Sequence, residues 1–415
     1  MDKAKFEDIT KHFIQPLFTG SDLGEETAPK SSKKLVAYVD PCKIAFRPSK
    51  DADYRLTLTR SQPFEEADTE VVRSFLLVLR TLEPLWDKTS LPDLIRATMR
   101  RVIARALAGG DESQKALRAT IAEVIMQYES WAEQTYEGRR ISAALGIEPS
   151  LLVSKGVALG DVYREDFGTV LAGGLETFLT VSSDGFINSY EPLPTEAPKI
   201  AGLFAPMRFA RIAEWTDGNR IGIGLNRNGE ILVFKNKVLV FCKRRGSWHH
   251  FTHEAVIKRI ALEKAIPPDV CAAIYESSLD VSFARSGGCI AVVRRTQADD
   301  FRDSDVVAKG DLIAVGSGIK ANCLRKIIGK PFPELDRRLR AEILAMDGAT
   351  VLSYKGEVLA AGAIVKVPAG SSGGGRLAAT KALASYGLAI KISSDGAIRV
   401  FAKKESKVVE MASVG

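Results

Sequence analysis

Asp347, in "LAMDGAT", is a lone acid set directly before a Gly-Ala pair, between the apolar end of a predicted helix and a predicted strand. A carboxylate at an element end beside a tight glycine suits a hard cation carried by a nucleotide phosphate. It equally suits an ordinary Asp-Gly turn. "AGSSGGGRLAAT" runs Gly373, Gly374 and Gly375 into a predicted helix whose first side chain is Arg376. Free N–H groups and the positive end of a helix dipole make such a junction an anion site in outline, with a flexible glycine linker as the plain alternative. "GSGIKANC" has the same look, but neither stretch ends in the Gly-Lys-Ser/Thr that a P-loop requires.

Other chemistries find less support. "WHHFTHE" gathers His249, His250 and His253 below Cys242, yet no acid or thiolate completes a metal set at a recognised spacing, and a solvated helix start is the expected reading. No Gly-x-Ser-x-Gly elbow occurs and no cysteine adjoins a histidine, so the local text offers no hydrolase or protease triad.

The elements that must position these residues can be read from periodicity. "EEADTEVVRSFLLVLRTLEPLW" places Val72, Phe75, Leu76 and Leu79 on one helical face before Pro84. "LPDLIRATMRRVIARALAGG" opens with Pro92 and stops at Gly109-Gly110, with Ile95, Met99, Val102 and Ile103 on one stripe. Its basic stripe of Arg96, Arg100, Arg101 and Arg105 reads as a solvated face. "ESQKALRATIAEVIMQYESWAEQTY" is a third helix by the same test. "KLVAYVD" and "YRLTLTR" have strand composition, and from Gly156 onward strands are separated by Asp184-Gly185, Asn228-Gly229 and Asp395-Gly396, whose Asx-Gly pairs supply the positive φ of tight hairpins. Two helices, "HEAVIKRIALEKA" and "PPDVCAAIYESSLDVSFARS", then lead into the buried strand "GGCIAVVRR". The rhythm continues through "DLIAVG", the helix "ELDRRLRAEILAM", the strand pair "GATVLSYKGEVLAAGAIV", the helix "RLAATKALASYG" and the hairpin "LAIKISSDGAIRVF".

A chain of 415 residues exceeds what one core supports, so several domains are expected. We divide it into an α-rich N-terminal region with a small sheet (1–150), a β-rich connecting segment (151–240), an α/β domain (241–404) and a polar, frayed tail (405–415). No apolar run is long enough to cross a bilayer and the opening "MDKAKFEDITKHF" lacks the apolar core of a signal peptide, so a cytoplasmic location without membrane attachment is expected. Five scattered cysteines with no CxxC pair point to reduced, mostly buried thiols rather than a disulfide framework or a zinc site. A net charge of +7 dispersed over this length does not demand a nucleic-acid partner.

The ordered set "SGGCIAVV", a helix into "DGATVLSYKGEVLAAGAIV", "GGGRLAATKALAS" and "IKISSDGAIRVF", from Phe241 to Phe401, resembles the diadenylate cyclase (DAC) domain. That family typically carries an Asp-Gly-Ala motif, a Gly-Thr-Arg-His-Arg-Ala-Ala motif and a closing Val-Ser-Glu hairpin. The resemblance implies an α/β fold in which a DAC-like mixed β-sheet flanked by helices lies at the C-terminus. It carries the family's metal- and ribose-binding motif onto Asp347, Gly348 and Ala349, which are intact. Laid without gaps, the second motif falls on Gly373, Gly374, Gly375, Arg376 and Leu377, with Ala378 and Ala379 preserved, so two phosphate-binding side chains of the family are lost. In the closing hairpin Ser393 is kept, and the acid that assists the metal falls on Ser394 or Asp395.

Joining two ATP molecules requires cationic donors on the phosphoryl oxygens, and losing one such donor commonly costs ~10²–10³ in rate. Gly375 and Leu377 in place of arginines therefore argue against efficient synthesis, though not against binding. The glycine-rich variant with its added N-terminal region is similar to the divergent DAC-like proteins of the DACNV type, which are sensor domains. The resemblance thus implies a nucleotide or nucleotide-derived signal, ATP or a cyclic dinucleotide, with Mg or Mn accompanying it, an effector protein downstream, and the homodimer that family cyclases need. A working cyclase, and a basic scaffold or nucleic-acid-binding protein, stay open as alternatives.

Overall fold

The computed structural model describes residues 3–29, 33–85, 90–165, 167–168, 175–193, 202–261, 265–367 and 374–415. The protein is mixed α/β, and its internal contacts divide it into two units, residues 1–252 and 253–415. Among the described residues no helix is long and apolar enough to cross a membrane.

In the N-terminal unit, β1 (Asp22–Thr27), β2 (Val36–Asp40), β3 (Lys43–Phe46) and β4 (Tyr54–Thr59) form an antiparallel sheet ordered β1-β4-β3-β2. Helices α1 (Glu66–Leu82), α2 (Leu91–Ala108) and α3 (Lys115–Trp131) follow. The α1 helix starts at a capping box in which Glu65 and Asp68 satisfy each other's backbone N–H groups, and Val72, Phe75, Leu76 and Leu79 are buried as their spacing predicts. The α2 helix ends at Gly109, whose φ of +84° only glycine adopts readily. Its basic stripe is solvated only in part: Arg96 and Arg101 are exposed, Arg96 pairing with Asp93 at 2.6 Å, whereas Arg100 and Arg105 are half-buried and Arg100 meets Glu129 of α3 at 3.3 Å.

A short ribbon, β5 (Thr135–Tyr136) and β6 (Arg139–Arg140), precedes a seven-stranded sheet. That sheet comprises β7 (Ala143–Glu148), β8 (Thr177–Ser182), β9 (Ile187–Pro192), β10 (Ile221–Leu225), β11 (Ile231–Lys235), β12 (Val238–Arg244) and β13 (Ser247–His250), in the order β13-β12-β11-β10-β7-β8-β9. Helices and sheet share one continuous core that includes Phe75, Ile103, Ile121, Ile223 and Val233. Two sequence-based boundaries move accordingly. The segment 151–240 is not a separate body, because its strands pair with β7, and the second unit begins at residue 253 rather than 241, because β12 and β13 complete the first unit's sheet. "WHH" is the strand β13 with His250 buried, not a solvated helix start.

The C-terminal unit begins with α4 (His253–Ile260) and α5 (Pro268–Ala284). Its sheet contains β14 (Gly288–Val293), β15 (Ala349–Ser353), β16 (Val358–Ala363), β17 (Gly387–Ile392), β18 (Ile398–Lys404) and β19 (Lys407–Val414), ordered β16-β15-β14-β17-β18-β19. Only β14 and β15 run parallel. Alternation along β14 sends Cys289, Ala291 and Val293 into a cluster with Leu383 and Ala384 of α7 (Gly375–Ala384). Gly288, on the other face, lies against Leu344 of α6 (Arg337–Ala345), and Thr350 of β15 donates to the Ile343 carbonyl there at 3.2 Å. Helices therefore cover both faces. The α6 helix is tied to α5 by Arg337 with Asp280 at 2.7 Å and Arg340 with Glu276 at 3.0 Å.

Residues 405–415 are not a frayed tail. Glu405 turns the chain at φ +53°, and β19 returns along β18 with Met411, Ala412, Ser413 and Val414 buried. The strand "KVVEMASV" shows no clean alternation, its burial rising in one block from Met411, so the ladder with β18 and not periodicity carries it. "DLIAVG" forms a short 3-10 turn and a single bridge, Leu312 with Ala360, in place of a strand.

Candidate functional site

The sheet order sets Asp347 in place. β15 runs parallel to β14 with Ile290 opposite Thr350, so Asp347 lies level with Gly287 at the same sheet end. Gly348 follows with φ +104°, and a Cβ there would fall 2.6 Å from the Ala363 carbonyl oxygen. Gly362 across the pair has φ +56° and comes so near that its Cβ would lie 3.1 Å from the Asp347 carbonyl oxygen. The two glycines let the ends of β15 and β16 close on each other. The Asp347 carboxylate stands exposed at that junction, accepting the Gly348 N–H at 3.1 Å.

Behind this wall Lys320, from the "GSGIKANC" stretch, donates to Asp311 at 2.6 Å and to the Gly362 carbonyl at 2.7 Å. Asp311 in turn accepts the Ile364 N–H at 3.1 Å. Burial alone would raise the Asp311 carboxyl, and Lys320 with the Ile364 N–H outweighs it, holding the group below its ordinary value. The segment that resembled a phosphate loop thus braces the end of β16.

The opposite wall is the start of α7. Gly374 has φ +80°, and neither Gly374 nor Gly375 has an atom of a described residue within 4 Å of where a Cβ would sit. Arg376 is exposed, and its guanidinium makes no hydrogen bond or ion pair with any described residue. It lies over Gly287, where a Cβ would come 2.5 Å from Nη1. The missing side chain of Gly287 is therefore what allows the arginine to lie against the sheet end.

Asp347, Gly348, Gly375 and Arg376 line one cleft of about 370 Å³, with Cys289 and Ala379 beneath and Ala363 to Val365 along one side. Sequence reasoning missed Cys289, Ala379 and the β16 end. The hairpin after Asp347 is the signal that could have found the last of these, because the returning strand must end beside the residue before the first. Burial pushes the Cys289 thiol up to about 11, against the opposing pull of Thr380 and Arg376. In the folded protein at neutral pH, iodoacetamide is expected to modify exposed Cys323 and spare Cys289, because such a thiol holds almost no thiolate. Mass spectrometry of the labelled peptides reads the order. Early labelling of Cys289 would show that the cleft floor opens to solvent.

The other sequence-predicted residues fall elsewhere. Ala349 points into the core under β15, and Gly373 lies outside the described residues. Ser393 and Asp395 sit in the β17–β18 turn, which Ser393 closes by donating to Ala397 and accepting from Gly396 at 2.9 and 2.8 Å. The Asp395 carbonyl accepts from Arg285, and neither Ser393 nor Asp395 lines the cleft that Asp347 does. Ser393 nevertheless follows Ile392, whose carbonyl oxygen approaches Gly287 beneath Arg376.

His249 bonds to the Thr19 hydroxyl at 3.0 Å, His250 to Asp68 at 2.8 Å and His253 to the Tyr275 hydroxyl at 2.9 Å, so each ring has its own partner. Among the described residues no group of three His, Cys, Asp or Glu could hold a metal ion. Asp347 is the one carboxylate among the described residues that lines the cleft. Asp395 is not placed to be a second metal ligand across the cleft. No family model matches this chain, and no curated protein matches it.

Proposed function

We propose that the C-terminal unit is a nucleotide-binding sensor domain related to the diadenylate cyclases, of the DACNV type, and that the Asp347–Arg376 cleft is its ligand site. One observation carries the reading: Asp347-Gly348 and Gly375-Arg376, separated by a hairpin and a loop in the chain, line the same cleft. Its volume of about 370 Å³ lies inside the roughly 300–1,000 Å³ range of small-molecule sites. Arg376 supplies a full positive charge unspent on the protein, beside the amino end of a helix, where a phosphate gains both the charge and free N–H groups. Asp347 meets the ribose or a divalent ion, which when bound would neutralise phosphate charge.

Among the described residues Arg376 is the one cationic side chain that lines this cleft. Two triphosphates reacting face to face need several such donors, and each missing one commonly costs ~10²–10³ in rate. A cleft with one arginine holds a nucleotide better than it turns one over. A cytoplasmic setting, with free cysteines and abundant nucleotide, fits this role, and signalling to an effector requires that the ligand bind two conformations unequally.

Incubating the purified full chain with ATP and Mg²⁺ or Mn²⁺, and analysing both products and retained ligand by mass spectrometry, tests the reading. Nucleotide retained by the wild type without turnover, and weakened about tenfold or more by Arg376→Ala, is the expected result. A dinucleotide made by the wild type and abolished by Asp347→Asn would make the protein a cyclase instead. Steeply salt-dependent binding of DNA or RNA that ignores Asp347 would favour the scaffold.

A further inference from the structure

The β2 strand is the free edge of the N-terminal four-stranded sheet, and among the described residues nothing pairs with its outer side. The Arg47 N–H donates to the Leu35 carbonyl at 3.0 Å, which makes Val36 and Phe46 a non-hydrogen-bonded pair in the β2–β3 ladder. The N–H and C=O of Val36, and of Tyr38 two residues on, therefore point away from β3. Beside that edge runs a hollow of about 630 Å³. Its second wall is a face of α1, where Thr69, Arg73 and Leu77 recur at a spacing of four. Its lining is mainly apolar, and Lys33, Lys34, Lys50 and Arg73 stand around it.

We propose that this groove binds an extended acidic peptide, which adds to β2 as a further strand and lies between it and α1. Main-chain bonds to Val36 and Tyr38 would hold the backbone, and alternate side chains would point into the hollow or towards the lysines. Charge chooses the occupant. Arg73 is paired with Glu70, whereas Lys33 and Lys50 make no ion pair with a described residue. An acidic strand would give Lys33 and Lys50 the partners they lack, and pairing with a second copy of the chain is the competing occupant that the test reads. Glu65, Glu66 and buried Asp68 lie near the Tyr38 end, so the acidic residues of the peptide belong at the Lys33–Lys34 end.

The test uses the full chain and a fluorescent hexapeptide of alternating glutamate and valine, followed by polarisation. The same peptide with its backbone N-methylated and a lysine–valine peptide are the controls. Expected are binding of the acidic peptide alone, an affinity that falls with salt, and a loss of about tenfold on Val36→Pro, which removes an outward N–H and no ladder bond. Lys33→Glu, which touches no backbone, is expected to weaken the acidic peptide as well, so a misfolded proline variant does not decide the matter. Equal binding of the N-methylated or the lysine peptide, indifference to Lys33→Glu, or a chain that dimerises through this edge would overturn the proposal.

Discussion

Asp68→Ala is expected to lower the unfolding free energy of the N-terminal unit by about 3–5 kcal/mol, the cost of leaving buried charge without its partner. Asp68 is fully buried in the first turn of α1, where it accepts from Arg60 at 2.5 Å and bonds His250 at 2.8 Å. Arg60 is itself buried, its guanidinium 4.0 Å from the centre of the Phe64 ring. Removing the carboxylate strands both partners. Burial alone would raise the Asp68 carboxyl, and the bonds from His250 and Arg60 outweigh it and hold it below the ordinary value. Because the folded-state value is depressed, the stabilisation is complete above the unfolded value of about 3.9 and fades as the pH falls below it. Denaturant titrations of wild type and variant at neutral and acid pH check both points. A loss under about 1 kcal/mol at neutral pH would mean that water reaches the cluster and screens it.

Gly348→Ala is expected to cost about 2–6 kcal/mol, combining the positive φ with the overpacking of a Cβ against backbone. At 2.6 Å from the Ala363 carbonyl oxygen and 2.6 Å from the Gly362 carbonyl carbon, that Cβ has no flexible side chain to push aside. The β15–β16 junction must open, and Asp347 moves with it. Gly375→Ala is the matched control. It has open space, a helical position and no positive φ, so it is expected to be neutral or stabilising by up to about 1 kcal/mol. Thermal melts of the two variants distinguish a site that depends on this close approach from one that tolerates ordinary backbone.

Local features were legible in the chain. The buried face of α1, the stop of α2 at Gly109 and the three Asx-Gly hairpins follow from periodicity and positive φ, which depend only on near neighbours. The errors came where distant strands decide. Val408 to Val414 read as polar until β18 offers them a ladder, and "WHH" became a strand because β12 was there to pair with it. For the site, Asp347, Gly348, Gly375 and Arg376 stood out as residue types. Their meeting was implied by the family resemblance alone, because it depends on β15 lying next to β14, an adjacency that periodicity does not encode. Gly287 shows the limit most plainly. Its φ of +69° and the guanidinium above it are both consequences of tertiary structure.

The single parallel pair in the C-terminal sheet has a kinetic side. β14 and β15 can join only after the stretch from residue 294 to 348 has been laid down as a crossover, and β14 and β17 only after the longer stretch to residue 386, whereas the other pairs in that sheet are joined by short turns. Such a long closure is entropically late, so the strand end bearing Asp347 is among the last parts to lock. A molecule held between Asp347 and Arg376 would then bind only the completed unit. It would act as a clasp on the crossover, and its occupancy would show chiefly as slower unfolding, legible in the denaturation rate even where the equilibrium melt moves little.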